Sequence, residues 1–413
     1  MPVVKQNAAS RRNMIAAVIL AALGYFVDIY DLILFSIVRV ASLKGLAVPD
    51  ERLLTTGLQL INMQMGGMLI GGVLWGVLGD KKGRLSVLFG SIALYSGANI
   101  ANAFVHSIPM YAALRFIAGL GLAGELGAGI TLVSELLPKE TRGYGTMIVA
   151  GVGIAGGVVA GLVGDQFGWR AAYMVGGVMG LALLTLRVGV FESGLFDKVK
   201  NADVRRGDFT MLFTSRERLW KYVCCILLGV PAWYVIGILA TFAPEFGKAL
   251  AMPLLPSGSS AVMCLYAGCA LGGFASGWAS QVLRSRLKAA GGFVAAAALM
   301  TAVYLNMTGA ALAQFYGVCF ALGFATGYWA VFVTIASEQF GTNIRATVTT
   351  TVPNFVRGSL VAVSWAFAAL KPGRGILGAA GIVGTACFAL AFVSLTGLRE
   401  TFGKDLDYLE EHL

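Results

Sequence analysis

The sequence predicts an all-α membrane protein, with twelve transmembrane helices arranged as two pseudo-symmetric six-helix halves. Three observations predict it. Charge is scarce, apolar residues come in blocks of bilayer length, and the second half of the chain repeats motifs of the first.

Of the 413 residues, 57% are hydrophobic and 13% are charged, whereas a soluble chain carries charge on roughly a quarter of its residues. The apolar residues cluster in runs such as Ile15 to Leu23, Leu69 to Leu78 and Val149 to Val163. Runs recurring on a scale of about 20 residues match the hydrocarbon thickness that a helix must cross. A helix satisfies its own backbone polar groups, which makes it the default spanning element. The abundance of glycine suits close approach between such helices. Soluble architectures are excluded.

Apolar runs between charged, Pro-rich or Gly-rich breaks give spans at 14–38, 54–78, 86–105, 109–136, 143–164, 171–190, 220–243, 260–280, 289–307, 311–336, 346–370 and 375–397. The start, ASRRNM before an apolar run, superficially resembles a twin-arginine export signal. The run continues past Val27 without a small-residue cleavage site, so a retained first span is expected. With the N-terminus inside, 22 Lys and Arg fall on the cytoplasmic side and seven outside. That bias fixes both termini in the cytoplasm and places the chain in the cell (inner) membrane. The net charge of +10 then reports topology and lipid headgroups rather than nucleic acid.

The long polar break at 191–219 divides a six-helix bundle at 1–190 from a second at 220–413, which ends in a short cytoplasmic tail. Motifs repeat across this division. SELLPKETRG after span four is matched by SEQFGTNIRA after span ten, so Ser134, Glu135 and Arg142 map onto Ser337, Glu338 and Arg345. GGVLWGVLGDKKGR after span two is matched by GGFASGWASQVLRSR after span eight, with Gln281 in the place of Asp80. Both repeats keep their direction, which relates the halves by an axis along the membrane normal.

These motifs resemble those of the major facilitator superfamily. Gly79-Asp80-Lys81-Lys82-Gly83-Arg84 is similar to its loop signature between spans two and three, and Arg115 to Gly121 to its fourth-span signature. Ser134-Glu135, Pro138 and Arg142-Gly143 resemble the S-E-x-x-P-x-x-x-R-G of the sugar-porter and metabolite–proton symporter branches. Arg399-Glu400-Thr401-Phe402-Gly403 resembles their tail. Spans five and seven lack the glutamines of sugar porters, and GVGIAGGVVAG in span five lacks the proline of drug antiporters.

Candidate site residues follow from the cost of charge in a bilayer, which marks an intramembrane ionisable group as a pathway residue. Asp28 and Asp31 lie three apart in span one, hence on one helix face. Asp31 and Arg115 sit roughly 10 Å and 9 Å from the outer ends of their spans at about 1.5 Å per residue. The resemblance implies that Tyr30-Asp31 takes a proton and that Arg115 tunes it. Arg357 in span eleven suits a carboxylate or phosphate, because its guanidinium is planar and always charged. Tyr30, Asn354, Trp233, Tyr234, Tyr328 and Trp329 are candidates to line the same cavity. Asp80, Arg84, Glu125, Glu135, Arg142, Glu338 and Arg345 are assigned to gating, through charge pairs that break on opening.

The expected function is secondary active transport of a small polar or anionic organic metabolite by alternating access, as proton-coupled symport. The alternative is a proton-coupled antiporter exporting a metabolite or drug. No phosphate-cradling loop, nucleophile elbow or His-based metal site is present, so neither an enzyme nor a bound cofactor or metal is expected. The expected partners are a small-molecule substrate, protons and the lipid bilayer, with the chain acting as a monomer.

Overall fold

The computed structural model describes residues 8–82, 84–125, 142–192 and 209–403, and these residues are helical with no strand among them. In the N-terminal group, α1 is Ala8–Gly45, α2 Leu53–Lys82, α3 Arg84–Asn102, α4 Ile108–Leu122 and α5 Arg142–Glu192. In the C-terminal group, α6 is Arg216–Tyr234, prolonged by a π-helical stretch at Val235–Ala240, and α7 is Ala243–Ala249. Then follow α8 Gly258–Val282, α9 Arg286–Asn306, α10 Leu312–Thr326 and α11 Trp329–Glu338. α12 is Thr342–Gly358 and α13 Leu360–Thr396. Among the described residues, eight helical stretches are long and apolar enough to cross a membrane.

Two of these stretches each hold two helices that meet at a glycine turn. α5 has 51 residues, a length of roughly 77 Å if straight, more than twice a hydrocarbon core of about 30 Å. It is not straight. Gly168 stands inside it at φ 79° and ψ 168°, a conformation that only glycine adopts without a clash. The two arms fold back beside α1. Gly164 packs on Ile37 and Val38 and Gly156 on Phe26, while in the returning arm Gly176 packs on Asp31 and Arg187 reaches Leu20. α13 turns in the same way at Gly375, φ 67°. Phe367 in its first arm meets Phe246, and in its second arm the Ala380 carbonyl accepts from the Tyr234 hydroxyl at 2.8 Å. The hairpins fall at the breaks expected between 143–164 and 171–190 and between 346–370 and 375–397.

Glycine also sets how closely helices approach. A Cβ on Gly119 of α4 would strike the Gln64 carbonyl of α2, and one on Gly67 would strike the Phe116 carbonyl. In the C-terminal group, Gly323 of α10 meets the Leu265 carbonyl of α8, and Gly268 meets the Phe320 carbonyl. The same backbone-to-backbone seam is therefore built twice, α2 on α4 and α8 on α10. Because backbone cannot swing aside, Gly119→Leu is expected to cost about 1–3 kcal/mol through overpacking. Thermal unfolding of the purified protein should show a fall in Tm of several degrees, and an unchanged Tm would contradict this seam.

Candidate functional site

The two groups of helices meet around a buried charge pair. Asp28 of α1 and Arg357 of α12 approach at 3.5 Å between Oδ2 and Nη2, with side chains 0% and 1% exposed. That separation is long for a hydrogen bond. Neither Asp28 oxygen makes one, and Nε and Nη1 of Arg357 make none either. The guanidinium lies 5.9 Å from the ring centroid of Trp233, which holds it by a cation–π contact. One turn earlier on α12, Asn354 donates to the Ala123 carbonyl across the interface at 2.8 Å and to Thr350 at 3.0 Å.

Tyr25, Tyr266 and Cys269 complete the surroundings of this pair, and the Tyr25 hydroxyl sits beside the indole N–H of Trp329. Sequence reading missed Tyr25 and Tyr266. Tyr25 was discoverable, since it precedes Asp28 by three residues and so shares its side of α1. Nothing local marks Tyr266. The site thus offers a planar cation with two free N–H donors, a carboxylate counter-ion and a wall of aromatic rings. A planar carboxylate would find its donors in Arg357 and an apolar face in Trp233.

Asp31 looks elsewhere. Its carboxylate packs on Gly176 of α5, inside the N-terminal helices, with Arg115 and the Asn99 amide nearby. Three residues advance about 300° around a helix, so the two acids diverge by about 60°, enough to face different neighbours. Arg115 does not pair with Asp31 directly. It donates to the Tyr173 hydroxyl at 3.2 Å and to Asn99 Oδ1 at 3.2 Å, and it stacks 5.1 Å from the Tyr173 ring centroid. Tyr173 in turn shares a 2.6 Å hydrogen bond with Tyr111, which bonds Ser42 at 3.3 Å. The arrangement fixes Arg115 beside, not on, the Asp31 carboxylate.

Three aromatic candidates are engaged in packing. The hydroxyls of Tyr30, Tyr234 and Tyr328 donate to the carbonyls of Ala172, Ala380 and Leu228 at 2.8–2.9 Å, each within its own group of helices. A hydroxyl committed to a buried carbonyl is a helix-to-helix tie, which leaves the ring face as the part of each side chain that can meet a solute. Trp233 and Asn354 do stand at the interface, and Trp329 approaches it from α11.

The gate assignments divide. Glu125 forms a bidentate pair with Arg187 at 2.9 and 2.5 Å, and Arg187 also reaches the Leu20 carbonyl at 3.4 Å. Glu338 pairs with Arg286 at 3.5 Å and accepts from Thr401 at 2.6 Å. Arg345 donates to the carbonyls of Ser337 and Phe340 at 3.0 and 3.3 Å. Each of these contacts stays inside one group of helices. Glu135 lies outside the described residues, as do the side chains of Asp80, Arg84 and Arg142.

The interface is latched at the far end of α1. Arg39 forks onto Glu245 at 2.7 Å twice, donates to the Leu53 carbonyl at 3.2 Å and stacks 4.3 Å from the Phe242 ring centroid. Ser36 meets Thr241 at 2.9 Å, and Asn62 meets Ser364 at 2.6 Å. All three contacts join the N-terminal to the C-terminal helices. Removing one partner of a shielded ion pair leaves the other charge uncompensated. Glu245→Gln is therefore expected to raise the accessible population of this end at least tenfold, measured as the rate at which a cysteine introduced at Ser36 reacts with a polar maleimide.

At the opposite end the tail is fastened by Glu400. Burial alone would raise its carboxyl, but the Ser285 hydroxyl and the backbone N–H groups of Arg286, Phe402 and Leu287 hold it down to about 2. Two of these N–H groups open α9, so Glu400 caps that helix. Its folded value lies below the ordinary 4.5, so the stabilisation is present above that value and is lost as pH falls through about 2. Glu400→Gln should cost about 1 kcal/mol and speed limited proteolysis after Thr396 at neutral pH.

The family model of the Major Facilitator Superfamily matches residues 14–369. The chain is 28% identical over 359 residues to a gentisate transporter of Corynebacterium glutamicum, covering 81% of this chain and 76% of that one. It is 27% identical over 379 residues to a putative niacin/nicotinamide transporter of Bacillus subtilis, covering 86% and 87%. In fold it resembles the crystal structure of a D-xylose–proton symporter, with a TM-score of 0.69, 17% identity and coverage of 95% and 99%. These relatives and the fold are those of transporters rather than enzymes, and the chain, a multi-pass helical membrane protein, belongs to the Major Facilitator Superfamily.

Proposed function

We propose that this protein is a proton-coupled symporter that takes up a small aromatic monocarboxylate by alternating access. The observation that carries the reading is Arg357, a shielded guanidinium with two unpartnered nitrogens, set against Trp233 and only loosely paired with Asp28. A substrate carboxylate can take an N–H from Nε or Nη1, completing a two-point grip with Nη2, without first breaking a strong ion pair. The two relatives are named for gentisate and for niacin/nicotinamide, all planar aromatic molecules and two of them acids, and the ring-lined site suits that shape.

The architecture that serves this reading has twelve spans, in bundles at 1–190 and 220–413 joined by a cytoplasmic linker at 191–219. Both termini are cytoplasmic, in a bacterial inner membrane, and the chain works as a monomer. On that orientation the Arg39–Glu245 latch closes the outer side. Asp31 takes the proton and Asp28 neutralises Arg357 between substrates. Substrate binding at Arg357 frees Asp28, and the charge balance between the two acids changes together with the opening of the interface. Glu125 and Arg187 brace α1 against α4 and α5 rather than gating.

Thermal-shift screening of the purified protein against benzoates, aliphatic carboxylates, sugars and amines tests the substrate class, because a ligand of the folded state raises Tm by mass action. Aromatic acids should stabilise and sugars should not; the reverse pattern rejects the assignment. Flux into proteoliposomes tests the direction. Accumulation with an acidic exterior supports symport, and loss of preloaded substrate under the same gradient replaces it with antiport.

A further inference from the structure

The N-terminal helices enclose more polar side chain than they hydrogen-bond. α3 carries Tyr95, Ser96, Asn99 and Asn102 along one stripe, and each is 0% exposed. Among the described residues, the Tyr95 hydroxyl, Ser96 Oγ, Asn99 Nδ2 and both amide atoms of Asn102 have no hydrogen-bond partner. The same holds for both oxygens of Asp31 and for Arg115 Nε. Helix packing places these groups together. Gly176 and Gly180 of α5 lie against Asp31 and Ser96, and Arg115 bonds Asn99.

So many unpaired polar atoms within a membrane-embedded bundle would cost more than a fold's net stability. Buried water is the usual remedy, because each molecule bonds several such atoms at once. A metal cation is a poor occupant, since the Arg115 guanidinium stands among these groups. We propose that the stripe from Asn102 to Asp31 holds a file of ordered water that delivers protons to Asp31, apart from the chamber where Asp28 and Arg357 meet.

Asn102 and Tyr95 are about 10 Å apart along the helix axis. The far end of the stripe approaches the surface where Arg170, beside the Gly168 turn, ties the Ala103 and Val105 carbonyls at 2.6 and 3.0 Å. A proton moves as each water forms one O–H bond and breaks another, and the last is transferred to an Asp31 oxygen. The charged and titratable groups facing Asp31 are Arg115 from α4, Tyr173 from α5, Tyr95 from α3, and Tyr30 and Asp28 from α1 itself. A private route lets protons arrive while substrate fills the chamber.

The proposal rests on the proton role of Asp31, and the test separates the two. Asn102→Leu, matched in branching and side-chain heavy atoms but unable to bond water, is reconstituted together with Asn102→Ser and Asp31→Asn. Asn102→Leu should slow pH-driven uptake at least tenfold and leave substrate counterflow at equal pH within twofold, with Asn102→Ser restoring the rate. Radiolytic hydroxyl labelling should modify the buried Tyr95 in the wild type and spare it in Asn102→Leu. Should Asn102→Leu misfold, Ser96→Ala takes its place with the same expectations. Loss of coupling in Asp31→Asn with wild-type rates in Asn102→Leu, or an unlabelled Tyr95, overturns the route alone. Intact coupling in Asp31→Asn overturns both.

Discussion

Arg357→Lys should weaken binding of the carboxylate substrate by roughly 30–150-fold, the equivalent of about 2–3 kcal/mol. The substitution keeps the positive charge, so Asp28 retains a counter-ion and the site remains electrically balanced. What disappears is the planar fork. Lysine cannot present two parallel N–H donors to one carboxylate, nor stack on the Trp233 face as a guanidinium does. The loss should appear in both Kd and KM, while the Tm of the substrate-free protein moves little, because Nε and Nη1 make no hydrogen bond there to lose. An affinity within threefold of wild type would remove Arg357 from the substrate's reach. Trp233→Leu gives a milder companion effect, since a cation–π contact is worth about 0.5–2 kcal/mol.

Much of this fold is legible in the sequence because the bilayer leaves few choices. Long apolar runs must be helices, and the breaks at Gly168 and Gly375 fall where the spans were expected to end. The site was only partly legible. Spacing placed Asp28 and Asp31 on one side of α1, but which neighbour each faces depends on how α5 and α12 pack around that helix, a tertiary fact. The Arg39–Glu245 latch escaped notice because each partner stands at the end of an apolar run, where charge ordinarily reports topology. Glu125 shows the converse. An intramembrane acid reads as a pathway residue, yet here its two oxygens are consumed by Arg187 within one group of helices. The tyrosines at 30, 234 and 328 read as cavity residues, and the structure adds that their hydroxyls donate to backbone carbonyls.

Asp31→Asn should separate transport from its driving force. A symporter carrying one proton with each monocarboxylate can concentrate substrate up to about tenfold per unit of pH gradient, the free energy of one proton moved across one pH unit. With asparagine at position 31 the accumulation ratio should fall to about one at any pH gradient. Counterflow needs only that the loaded carrier reorient, so it should persist within about threefold. Two features of the structure support this division. Asp31 lies among Gly176, Asn99 and Arg115 rather than in the interface, so its loss leaves the substrate donors untouched. The other shielded acids each have a cation of their own, Arg357 for Asp28 and Arg187 for Glu125. Among the described residues Arg115 has no acid within ion-pair distance, and an uncharged neighbour at position 31 mimics the proton-loaded state that accompanies reorientation. Asp28→Asn serves as the contrasting control. It strips the counter-ion from Arg357, so it should depress counterflow and accumulation together, whereas a coupling residue affects the second alone. Accumulation that survives Asp31→Asn and fails only in Asp28→Asn would move the proton to the interface, where substrate and proton would compete for one site rather than travel together.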